Sequence, residues 1–177
     1  MIKIIPTEEQ ISYSKHINDN FNLGNRGYGD GNKQEQYIGI LGQIVLADIL
    51  EINRIKGNEG FDEGIDFVIN NKKVDVKTMG RTVDVRSHFV HNFIGYQMKY
   101  DTDYYIFQSY NRIKNELSIC GFVSKNELID RSLFYEKGTI RYRDDGSSFI
   151  NKAPLYEIKQ MDLNPINNVK DILINII

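Results

Sequence analysis

The stretch from Gln34 to about Ile55, QEQYIGILGQIVLADILEINRI, constrains the fold more than any other. Ile38, Leu41, Val45, Ile49 and Ile52 recur in it with the period of a helix over several turns. Immediately afterwards the period changes. Ile65–Ile69 and Val74–Thr78 are short runs rich in β-branched residues around Asn70-Asn71, a dipeptide that suits a tight turn, and they predict a β-hairpin. DYYIFQSY from Asp103 and ELSICGFV from Glu116, separated by the polar NRIKN, predict a second hairpin. A long apolar helix followed by two hairpins makes an α/β domain. Gly39 and Gly42 inside the helix each cost about 1 kcal/mol relative to Ala unless another backbone comes close, so one helix face is expected to pack hard against a sheet.

The flanks are read in the same way. Thr7 with Gln10 is a capping-box pattern opening a short helix to about Asn20, and Ser124 with Glu127 opens another through Ile129. Gly24, Gly27, Gly29 and Gly31 predict a loop over Leu23–Gly31; no Gly-Lys-Ser or Gly-Lys-Thr follows, so it is not a phosphate-cradling loop. Between Met79 and Tyr100 the periodicity is poor, which predicts a loop with a short helix near Ile94–Lys99. LYEIK reads as an edge strand and Val169–Ile176 as a terminal helix.

Composition excludes several classes. With 41% hydrophobic and 26% charged residues the chain can bury a core and is not expected to be disordered, and 177 residues suit one domain over 1–177. Its single cysteine, Cys120, excludes a disulfide framework and a thiolate zinc site, and fits a reducing, cytoplasmic setting. MIKIIPTEEQ lacks the apolar region of a secretory signal, and no apolar run reaches the roughly 18–20 residues of a membrane span, so no membrane association is expected. A net charge of −2 and a pI near 5.9 argue against coating nucleic acid through bulk positive charge. Any nucleic-acid site must be local.

Asp66 and, nine residues on, Asp75-Val76-Lys77 lie across the turn of the first hairpin. Alternate strand residues share a face, so Asp75 and Lys77 point the same way, while Asp66 on the partner strand faces the same end of the sheet. Two adjacent carboxylates repel unless a cation sits between them, and oxygen donors of this kind suit Mg²⁺, with Mn²⁺ as substitute. A polar strand face with Asp opposite Lys produces the same pattern without any metal.

The placement of these residues, after a Gly-x-x-Gly helix and before a further hairpin, resembles the PD-(D/E)xK nuclease superfamily, also called restriction-endonuclease-like. The similarity spans about residues 34–130, with an N-terminal helix and a C-terminal extension outside it. It implies an αβββαβ core with a central mixed β-sheet flanked by helices, and a metal-dependent endonuclease hydrolysing DNA phosphodiesters. By that resemblance Asp66 and Asp75 bind the metal with the Val76 carbonyl, and Lys77 contacts the nucleophilic water, either as an electrostatic stabiliser or as an amine that gives up its proton more easily beside the ion. Gln43 stands where many members have glutamate; it brings no charge, but its amide oxygen can orient a metal-bound water. Glu35 is a weaker substitute, about 80° round the helix from Gln43. Ile65 replaces the proline of the family's name.

The window Lys72–Lys99 carries six cations against two carboxylates, +4 in a chain of −2. Lys72, Lys73, Arg81, Arg86, His88 and Lys99, with His91, are therefore the expected phosphate contacts. His88 and His91 lack further Cys or His neighbours, so a zinc site is not expected. Tyr96, Tyr104, Tyr105 and Tyr110 are assigned to packing, and Cys120 in LSICGFV to a buried thiol. A single core leaves little room for a separate recognition domain, so double-strand cleavage would need a homodimer. The rival expectation is a non-catalytic nucleic-acid-binding or structural module that keeps the nuclease-like fold without the activity.

Overall fold

In the computed structural model, which describes residues 1–21, 31–58, 64–142 and 146–176, strand β1 (Ile2–Ile4) leads into α1 (Glu8–Asn20). The expected capping box opens α1: Thr7 Oγ1 accepts from the Gln10 N–H at 3.2 Å, and Gln10 Oε1 accepts from the Thr7 N–H at 2.9 Å. A second box, Asn32 with Glu35, opens α2 (Lys33–Ile49). The glycine-rich loop assigned to Leu23–Gly31 lies outside the described residues up to position 30.

Helix α2 stops six residues before the predicted Ile55. The Ile52 N–H donates to the Ala47 carbonyl at 2.9 Å and the Glu51 N–H to the Asp48 carbonyl at 3.2 Å, with Glu51 at φ 55. Those two bonds and that φ make a Schellman stop in which glutamate occupies the left-handed position that glycine normally takes. The two helix glycines have different reasons. A Cβ on Gly42 would stand 2.0 Å from Thr78 Oγ1 and 2.3 Å from Gln108 Oε1, so helix and sheet approach as closely as expected. A Cβ on Gly39 would meet nothing among the described residues within 4 Å, which corrects the expectation that packing explains both.

After α2 come β2 (Phe67–Ile69) and β3 (Lys72–Arg81), joined by Asn70 and Asn71 at φ 50 and 62, the left-handed pair a two-residue hairpin turn requires. Strand β4 (Val90–Ile94) and a 3₁₀ turn (Gly95–Lys99) precede the second predicted hairpin, β5 (Tyr104–Asn111) and β6 (Glu116–Ser124), and then α3 (Lys125–Arg131). The chain closes with β7 (Leu133–Tyr135), β8 (Ile140–Tyr142), β9 (Ser148–Ile150), β10 (Leu155–Lys159), a 3₁₀ turn and α4 (Val169–Asn175).

The main sheet has the order β1-β6-β5-β3-β2, with β3 and β5 parallel and the other neighbours antiparallel, so the sheet is mixed, as expected. One face carries Val74, Val76, Ile106 and Ile119 against Leu46 and Ala47 of α2 and Ile172 of α4, while α1 stacks on the outside of α2 through Ile17. Each large apolar side chain buried there contributes about 1.5–3 kcal/mol.

The opposite face corrects the picture of a sheet flanked by helices. Tyr105, Phe107 and Cys120 are covered by Phe93 of β4 and Ile158 of β10, with α3 supplying Leu128. That cover is a second sheet, β4-β10-β7, and β8 with β9 forms a separate two-stranded piece. LYEIK is thus the central strand of the second sheet rather than an edge. No helix among the described residues is long and apolar enough to cross a membrane.

Candidate active site

The hairpin β2–β3 positions the predicted carboxylates, but from two sides of one strand edge. Val74 pairs with Phe67 in the ladder and its carbonyl also accepts from the Asp66 N–H at 2.9 Å, an irregular step at the start of β2. The Asp66 side chain then lies against β3 and α2: Oδ2 accepts from the Val76 N–H at 2.6 Å and Oδ1 from Gln43 Nε2 at 2.7 Å. Gln43 therefore uses its amide NH₂ on Asp66.

Asp75 and Lys77 share a face of β3, as the alternation requires, and it is the face that looks toward β4. Lys77 Nζ lies 2.7 Å from Asp75 Oδ1, 2.6 Å from Oδ2, and 5.7 Å from the centre of the Phe93 ring. The Asp75 side chain is only 4% exposed against 19% for Lys77. A carboxylate buried to that degree keeps its charge by having a cation against it. Tyr105, in register with Asp75 on β5, is held well above the ordinary phenol pKa by burial first and by the Asp75 charge second.

Lys73 and Arg81 direct their carbonyls to the β5 side of β3, whereas the Val74 carbonyl and the Val76 N–H serve the β2 side. In an extended strand the N–H and C=O of one residue point to the same side, so the Val76 carbonyl shares that edge with Asp66. Two carboxylates and one carbonyl are an all-oxygen set, and with Lys77 their formal charge is −1, which suits a hard divalent cation such as Mg²⁺ or Mn²⁺. Asp66, Asp75 and Val76 would supply its oxygen donors, and all three border one cleft. Among the described residues no group of three or more His, Cys, Asp or Glu side chains gathers to hold a metal.

These residues open on a cleft of about 860 Å³. Its floor is the edge of β3 beyond the end of β2, one wall is the face of α2 carrying Gly39 and Gln43, and the other includes Asn92 of β4 and Gln97 of the 3₁₀ turn. Glu35 also borders the cleft, with its carboxylate accepting from the Asn32 N–H at 2.7 Å.

The basic residues expected to meet phosphates do not line this cleft. Lys73 is ion-paired with Asp101 at 2.5 Å, Lys99 sits 5.3 Å from the centre of the Tyr100 ring, and Lys72 is half-buried at the start of β3. At the other end of β3, Arg81 donates to the Val90 carbonyl at 2.6 Å, and burial lowers its pKa. Arg86 and His88 lie around the same Phe89 ring as Arg81. His91 corrects the expectation outright: it is fully buried, with Nε2 2.9 Å from Gln160 Oε1. Among the described residues, the cations that do line the cleft are Arg54, Lys56, Lys77 and Arg112. Arg112 belongs to the NRIKN segment read only as a turn, and no signal in the sequence singled it out.

No protein-family model matches the chain, no curated protein matches it, and no solved structure matches it.

Proposed function

We propose that the protein is a Mg²⁺-dependent endonuclease that hydrolyses DNA phosphodiester bonds, on a restriction-endonuclease-like core. One observation carries the reading: Asp66, Asp75, the Val76 backbone and Lys77 line a single cleft at an open strand edge, with Gln43 bonded to Asp66. Asp66 and Asp75 hold the metal with the Val76 carbonyl. When bound, the ion supplies a water of lowered pKa and neutralises charge developing on the phosphoryl oxygens.

The chain's own residues do the rest. Gln43 and the Val76 N–H fix the Asp66 carboxylate through two hydrogen bonds, so it meets the ion in one orientation. Lys77, steered by Asp75 and backed by Phe93, stabilises the negative charge of the reacting phosphate.

The experiment is cleavage of supercoiled plasmid, linear duplex and single strands with Mg²⁺, Mn²⁺ or EDTA, comparing wild type with Asp66→Asn and Lys77→Ala, each checked for folding. Metal-dependent cutting lost in both variants supports the reading. No cutting of any substrate, or equal cutting by the variants, refutes it. The second reading, a non-catalytic module with a degenerate nuclease fold, draws on the Lys77 ammonium already held on Asp75 and on the amide at position 43. It predicts no rise in melting temperature with Mg²⁺, whereas the enzyme gains stability by linkage.

A further inference from the structure

The cleft continues well past the carboxylates. From Asp75 the strand edge runs five residues to Gly80, about 17 Å at 3.3–3.4 Å per residue, and Arg112 borders the cleft beside Gly80. The Arg112 backbone is fixed there, because its N–H donates to the Arg81 carbonyl at 2.9 Å and prolongs the β3–β5 ladder. Of the four cations that line the cleft among the described residues, Arg54 is spent on Glu9 and Asp48, and Lys77 on Asp75. Lys56 and Arg112 are exposed and make no ion pair among the described residues, and Arg112 is the one built onto the sheet.

On α2, Gly39 stands between Gln43, which is bonded to Asp66, and Ile38, which packs on Gly80 beside Arg112. It is one turn of α2 from Gln43, about 6 Å along the axis, and borders the cleft. A mid-helix glycine costs about 1 kcal/mol against alanine. Gly42 offsets that by close packing on Thr78, but nothing among the described residues lies within 4 Å of a Cβ on Gly39. Its bare backbone borders the cleft.

Resting on the nuclease reading, we infer that the substrate's sugar–phosphate backbone runs from Asp66 and Asp75 along the edge of β3, passes against the bare backbone of Gly39, and is anchored by a phosphate on Arg112. The anchored phosphate lies within about five nucleotides of the cut, since a duplex strand advances about 3.4 Å per nucleotide. The exposed Arg86, outside the cleft, takes no part.

The test is fluorescence anisotropy of a labelled oligonucleotide in EDTA over a salt series, with wild type, Arg112→Ala, Arg86→Ala and Gly39→Ala. Arg112→Ala is expected to bind about tenfold more weakly and to lower the slope of log K against log salt by about one, while Arg86→Ala changes neither. Gly39→Ala should melt at a higher temperature yet bind several-fold more weakly, a combination that loss of folding does not produce. Neutralising single phosphates as methylphosphonates should locate one position that weakens wild type and leaves Arg112→Ala unaffected. Wild type binding no nucleic acid would overturn the nuclease reading and this inference with it. Wild type binding while Arg112→Ala binds equally well, or Gly39→Ala gaining stability with unchanged affinity, would overturn the inference alone.

Discussion

Replacing Lys77 by methionine tests how the site holds its charge. The Asp75 side chain is 4% exposed and has the Lys77 ammonium within 2.7 Å of both oxygens, so the substitution strands a buried carboxylate without its cation. Removing one partner of such a pair costs about 3–5 kcal/mol, a large share of the 5–15 kcal/mol that stabilises a typical domain. For a chain of this length the melting temperature should fall by roughly 6–20 °C, at about 2–4 °C per kcal/mol. Urea unfolding of wild type, Lys77→Met, Asp75→Asn and the double variant gives the coupling directly. The double variant should recover most of the loss, because it leaves no stranded charge. Lys77→Met should also gain more from Mn²⁺ than wild type, since a divalent ion then supplies the missing positive charge. A Lys77→Met loss below about 1 kcal/mol, the value of an exposed pair, would refute the argument that burial makes Asp75 depend on Lys77.

Two further outcomes follow from the fold. Glu51→Gly should raise stability by up to about 1 kcal/mol in urea unfolding, because Glu51 stands at φ 55 in the Schellman stop of α2, where glycine is unstrained. His91 has its pKa pulled down to about 4, by burial first and by the Arg81 charge in the same direction, against the opposing hydrogen bond to Gln160. The unfolded chain therefore takes up this proton first, near pH 6.5. The fold loses up to about 3 kcal/mol between pH 6.5 and 4 at about 1.36 kcal/mol per pH unit, and the difference between wild type and His91→Phe across that window measures the loss.

What the sequence made legible was what local chemistry decides. Hairpin turns, capping boxes and alternation are written within a few residues of one another, so α1, the β2–β3 and β5–β6 hairpins and the shared face of Asp75 and Lys77 were readable. The end of α2 was not, because the stop uses Glu51 in place of a glycine while Ile52 keeps the apolar spacing going. Nor was β4, whose partner β10 is more than sixty residues away and whose inward positions are His91 and Phe93 rather than two aliphatic residues. A strand with a buried histidine and a distant partner leaves no period-two signal and no hairpin turn.

The site divides along the same line. Nine residues separating Asp66 from Asp75 around a two-residue turn identify the hairpin end, but not how Asp66 reaches the cleft. That depends on the irregular step at Val74 and on Gln43 arriving from α2, twenty-three residues earlier in the chain. The basic window shows the converse error. Lys73 and Arg81 look adjacent in sequence, yet an extended strand puts eight residues about 26 Å apart, and each then finds its own partner, Asp101 or the Val90 carbonyl. Charge concentrated along a strand is thereby spread to the two ends of the sheet. Arg112 reaches the cleft by the opposite route, since the parallel pairing of β3 with β5 brings the turn after Asn111 beside Gly80. Cations that share a binding surface on a sheet are selected by strand register across the ladder, and not by their nearness along the chain.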